Sequence, residues 1–103
     1  MSPADDLRLL RELGNLLEQQ IALARRGSSS KLEELALQAD SLAGKIRDLC
    51  ILDRPEHSAV GAELERLYKE LYVILEAEKS ATMHQINLLR RGKQTLEVYR
   101  ENT

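Results

Sequence analysis

The chain has no phenylalanine and no tryptophan, and three tyrosines are the only aromatic side chains among its 103 residues. Without large rings the interior must be built from aliphatic side chains, and Leu, Ile and Val supply 28 of them. Interiors of that kind suit helices packed through interdigitating leucines. Only three of these residues are Val, and no window alternates apolar with polar residues, so strands are not expected. The single cysteine, Cys50, excludes an intramolecular disulfide and fits a reducing compartment. Beside Leu49 it reads as a small buried hydrophobe. There is no uncharged apolar run near the length of a membrane span, and the opening Met-Ser-Pro-Ala-Asp-Asp lacks a secretory apolar segment. A soluble, cytoplasmic protein without membrane insertion is expected. A formal net charge of −2 lacks the concentrated basic field of a nucleic-acid binder, so nucleic acid is not an expected partner.

Catalytic groupings are equally scarce. His57 and His84 lie far apart, and neither belongs to a Glu-x-x-His, His-x-x-x-His or Cys-x-x-Cys spacing. Gly27-Ser-Ser-Ser lacks the lysine and second glycine of a phosphate loop. No enzyme activity, metal or cofactor is expected, and both histidines read as helix-surface residues.

What is present is helical periodicity. Ser2, Pro3, Asp5 and Asp6 make a helix start, with a capping hydroxyl, proline in the first turn and acids behind it. Leu7, Leu10, Leu17, Ile21 and Ala24 form one stripe, and Leu9, Leu13, Leu16 and Leu23 the next, wide enough together to meet two neighbours. Gly14 inside this helix predicts a close approach by another helix. Arg25-Arg26-Gly27 reads as a stop, with bases in the last turn and glycine at C′. Ser30-Lys31-Leu32-Glu33 matches a capping box. The second helix then carries a heptad seam through Leu32, Leu35, Ala39, Leu42, Ile46 and Leu49. Arg54 precedes Pro55, which disfavours helix at that point.

After Pro55 no proline follows, and Val60, Leu64, Leu67, Leu71 and Ile74 mark one face. Tyr68, Tyr72 and Leu75 lie beside it, continued after polar Lys79 and Thr82 by Ile86, Leu89 and Leu96. Acids gather in the first half of this stretch and bases in the second, the order that opposes a helix macrodipole. A single domain is therefore predicted: an all-α, antiparallel three-helix bundle or coiled coil with helices over 3–26, 31–53 and 56–100. Leu13, Leu17, Leu42, Ile46, Leu64, Leu67 and Leu71 are its expected core. A third helix of ~45 residues spans roughly 65 Å, about twice its partners. Its C-terminal part should then overhang, with the compact bundle ending near residue 80.

Ile86, Leu89, Leu96 and Tyr99 form an apolar stripe on that overhang, flanked by Arg90, Arg91 and Lys93. Exposed apolar side chains in a row suggest a binding surface, and the bases could steer an acidic partner. The layout (a short opening helix ending Ala24-Arg25-Arg26-Gly27, a Leu-rich second helix, a long last one) resembles the flagellar FliT family of type III export chaperones. The wider helical group also includes FlgN-type chaperones. The final Ile86-Asn-Leu-Leu-Arg-Arg-Gly-Lys-Gln-Thr-Leu-Glu-Val-Tyr-Arg-Glu-Asn102 is similar to the family's basic helix running into a tyrosine, with Lys93, Leu96 and Tyr99 at matching positions. The chain stops at Thr103, short of longer enteric members, so their added regulatory segment is not expected. The resemblance implies a chaperone that binds the helical end of a flagellar export substrate, usually the filament-cap protein. It would hold that substrate monomeric and deliver it to the export machinery. The competing expectation is a structural coiled-coil module whose last helix pairs with its own copy to form a homodimer.

Overall fold

A computed structural model describes residues 3–27, 31–77 and 83–101, with side chains described over 5–27, 31–77 and 83–96. The hydroxyl caps expected from Ser2 and Ser30, and the side chain of Tyr99, lie outside these. The described elements are all helical: α1 (Pro3–Arg25), α2 (Leu32–Asp48), α3 (Ser58–Ala77) and α4 (Met83–Glu101), with short 3-10 turns at Ile51–Asp53 and Pro55–His57 between α2 and α3.

Local chemistry explains the ends. Pro3 opens α1, with Asp5 and Asp6 in the first turn and Arg25 in the last. Gly27 closes it at φ 71°, the left-handed position a glycine tolerates without a Cβ penalty, and its N–H donates to the Ala24 carbonyl at 3.1 Å. Arg54 takes the extended conformation (φ −82°, ψ 132°) that the following proline imposes. The second helix ends at Asp48, several residues earlier than periodicity suggested, because Cys50 adopts the left-handed conformation (φ 54°) and starts the first 3-10 turn. Cys50 is consequently exposed rather than buried. Ile51 and Leu52 go inward in its place.

The long third helix does not exist as a single rod. Its expected span of roughly 65 Å exceeds the longest dimension of the molecule, 39 Å. More directly, α4 packs against α3, which a continuation of α3 could not do. Burial explains the preference. Leu88, Leu89 and Leu96 are buried at 5%, 3% and 1% exposure, worth about 1.5–3 kcal/mol each. Folding back wins.

The result is a ring of four helices. α1 touches α2 and α3, and α4 touches α2 and α3, so α1 and α4 face each other across the core. The three-helix arrangement is thereby corrected: α2 and α3, consecutive in sequence, are diagonal rather than adjacent. Ion pairs record the ring's order. Arg54 binds Asp6, joining the starts of α3 and α1, and Arg25 meets Glu70 at 2.6 Å farther along the same two helices. His84 lies 3.6 Å from Glu33, and Arg91 donates to Asp40 at 3.0 Å, so α4 advances alongside α2 in the same sense.

Of the expected core, Leu13, Leu17, Ile46, Leu64, Leu67 and Leu71 are buried, while Leu42 is half-buried. Gly14 does meet another helix: a β-carbon there would sit 3.6 Å from the Leu64 side chain. His57, expected on the surface, is buried at 5% exposure in the turn before α3, and its Nε2 has no hydrogen-bond partner among the described residues.

Candidate functional site

The fourth corner of the ring is the site that the sequence reading singled out, in a different setting. α4 lies in the channel between α2 and α3, with Leu89 and Leu96 in the common core. The two leucines chosen as exposed partner anchors are therefore intrachain core residues, and a partner could reach them only after α4 leaves. Ile86 and Lys93 are half-buried, Arg90 and Arg91 are exposed, and Tyr99 belongs to α4.

The arginines act as latches. Arg90 donates to the Tyr72 hydroxyl at 2.8 Å, with its guanidinium 5.6 Å from that ring's centroid. Arg91 grips the Asp40 carboxylate through Nε and Nη2. The hydrogen bonds to Tyr72 and to Asp40 hold the Arg90 and Arg91 guanidinium pKa values above their ordinary level. Both arginines are solvent-exposed, so each latch contributes little free energy; geometry is their main effect.

Beneath the latches is a contact that sequence reasoning missed. Gly92 is buried against Tyr68, and a β-carbon at that position would fall 2.7 Å from the tyrosine oxygen and 2.9 Å from the ring. No other residue fits there without a shift. The available signal was a lone glycine inside a helical pattern, the same signal that located the close approach at Gly14. Tyr68 itself is 2% exposed, and its hydroxyl has no hydrogen-bond partner among the described residues. Burial, then the nearby Asp40 charge, pushes its pKa well above the ordinary value.

An unpaired buried hydroxyl costs about 1–3 kcal/mol. Tyr68→Phe is therefore expected to stabilise the bundle by about that amount in thermal or urea melts; a loss of stability would show that the hydroxyl is satisfied in solution. The pH dependence has a definite sign. A folded-state pKa raised above the unfolded value of about 10 contributes stability that is complete below pH ~10 and is lost as pH rises beyond it. Tyr68→Phe should flatten that alkaline decline.

Among the described residues no cluster of His, Cys, Asp and Glu is arranged to hold a metal, and no helix is long and apolar enough to cross a membrane. Comparison with family models, curated proteins and solved structures yields no match.

Proposed function

We propose that this chain is a helix-binding chaperone of the flagellar export type, in which α4 occupies the channel that a substrate helix takes. The reading is cytoplasmic and non-enzymatic. α1, α2 and α3 form a three-sided receptor, partly antiparallel, and α4 is its displaceable fourth side. The substrate class suggested by the resemblance is the helical end of the filament-cap protein, passed on to the export machinery.

The observation that carries this reading is the Tyr68–Gly92 contact. The α4 interface leaves a buried hydroxyl unpaired, and among the described side chains of α4 only Leu88, Leu89 and Leu96 are buried and apolar. α1, in contrast, buries Leu9, Leu10, Leu13, Leu17, Ile21 and Ala24. Over its described side chains α4 thus buries fewer apolar residues than α1. A partner helix carrying an apolar stripe and one acceptor near Tyr68 would fill the same channel and satisfy the hydroxyl.

Gly92→Val tests this in the full chain. Valine has a better helix propensity than glycine, yet its side chain cannot fit against Tyr68, so α4 stays helical but docks poorly. Overpacking of about 1–3 kcal/mol shifts the open population by roughly 5- to 150-fold. Titration against the helical end of the filament-cap protein should show tighter binding by Gly92→Val than by the parent chain. No binding by either protein would rule the reading out, and equal affinities would place the partner outside the channel.

A further inference from the structure

The walls of the channel carry a pattern of charge and shape that α4 matches. His84 Nε2 lies 3.6 Å from a Glu33 carboxylate oxygen, and Arg91 Nε donates to Asp40 at 3.0 Å. Glu33 and Asp40 are seven residues apart on α2, as His84 and Arg91 are on α4. Helices whose charged pairs keep step every seven residues run parallel in coiled-coil register, and such pairs set partner and orientation. The next α2 position in the series is Arg47, a base paired with its neighbour Asp48 at 3.2 Å, so the acidic series stops at two. On the α3 wall, Arg90 donates to the Tyr72 hydroxyl at 2.8 Å, and that hydroxyl donates to Glu76 at 3.1 Å. Both walls therefore receive bases.

Shape adds a direction. Gly92 directly follows Arg91, and a β-carbon there would fall 2.7 Å from the Tyr68 oxygen. Leu89 and Leu96, three before and four after the glycine, continue the same face into the core. A helix entering in the opposite sense could still offer two bases to Glu33 and Asp40. Its small residue would then lie beyond Glu33, far from Tyr68, which feels the charge of Asp40. The order of base and small residue thus distinguishes the two directions. Wrong helices are also actively rejected: a bulky residue in place of the glycine meets Tyr68, and an acid in place of Arg91 meets Asp40.

We propose that the channel selects its partner helix by this pattern. The partner runs parallel to α2, with bases seven apart facing Glu33 and Asp40. A glycine-sized residue directly follows the second base, with leucines three before and four after it. The inference rests on the reading that α4 occupies the partner's channel, and it makes Asp40 and Tyr68 the specificity-determining residues of that channel.

A fluorescent peptide with the α4 sequence, residues 83–101, titrated into the full-length Gly92→Val chain, tests the pattern. Peptides are compared on one receptor, so that competition from the intrachain α4 cancels. Arg91→Glu in the peptide should weaken binding about three- to tenfold. On a receptor that also carries Asp40→Arg the preference should invert, with the Arg91→Glu peptide binding more tightly than the parent peptide. Asp40→Asn, which should bring the two peptides close to equal, covers the case in which Asp40→Arg does not fold. At peptide position 92 affinity should fall from Gly to Ala to Val, by about fivefold or more over the series. Helix propensity alone would favour both substitutions over glycine. If the peptides bind but the Asp40 variants leave their order unchanged, or if affinity at position 92 follows helix propensity, the pattern is overturned while the channel remains a helix-binding site. If no peptide binds, the pattern is also overturned. The channel reading is then decided separately, by the titration against the filament-cap helix.

Discussion

Leu89→Asp combined with Leu96→Asp is expected to detach α4 and remove most of the molecule's stability. Both leucines are core residues, at 3% and 1% exposure. Losing their burial costs about 1.5–3 kcal/mol each, and a carboxylate in the same place adds a desolvation penalty of several kcal/mol. Domains of this size are held by about 5–15 kcal/mol in all. Denaturant melts should therefore show a loss of at least about 5 kcal/mol, or a variant already partly open in water. Had the two leucines lain on a solvent-exposed overhang, the same substitutions would have been neutral for stability. An unchanged melting profile would refute the docking of α4. Under the proposed chaperone function the consequence for partner binding also reverses: on an overhang the aspartates would abolish it, whereas in the channel they would free the proposed receptor and favour it, provided α1 to α3 stay folded.

Arg54→Ala should produce the next largest effect, at the opposite end of the bundle from the start of α4. Asp6 is 1% exposed, and its carboxylate is paired with Arg54 Nη1. Removing the arginine leaves a buried charge without that partner, a change typically worth about 3–5 kcal/mol. The Arg54 side chain is 40% exposed, so water can enter after truncation, and the lower end of that range is expected. Adding Asp6→Asn removes the stranded charge and should recover a substantial part of the loss. If Arg54→Ala is neutral, the pair does not fasten the start of α3 to α1. The connection needs such a fastener because residues 49–57 must carry the chain across the diagonal of the ring, from α2 to α3. Ile51 and Leu52 fill the base of the bundle on the way.

Local signals in the sequence were read correctly where local chemistry decides. Pro3, Gly27 and the Arg54-Pro55 step sit where conformational restrictions place them, and the apolar stripes of α1 and α3 point inward. What local periodicity does not encode is the partner of a stripe. Leu89 and Leu96 are apolar at helical spacing whether they face this chain or another, and Lys79 and Thr82 are compatible with either one helix or two. The chain folds back because the channel between α2 and α3 would otherwise stay open, a long-range condition that no window of residues contains. The diagonal crossing was illegible for the same reason: a short connection ordinarily joins neighbours, and only the inward turn of Ile51 and Leu52 reveals the exception. His57 was misplaced because a first-turn position is usually solvated, whereas here the connection covers it. The same limit holds for function. Residue pattern indicated an apolar binding element near the C-terminus, and the structure adds that this element is already occupied by its own bundle.

Displacement of α4 is the central claim, and amide hydrogen exchange measured in the free protein and in its complex with the filament-cap helix tests it most directly. In the free protein, α4 should exchange faster than α1 but remain protected over residues 84–96. In the complex, protection over 84–96 should fall while α2 and α3, which form the walls of the channel, become more protected. If α4 keeps or gains protection when the partner binds, α4 is not displaced, and the channel is not the binding site.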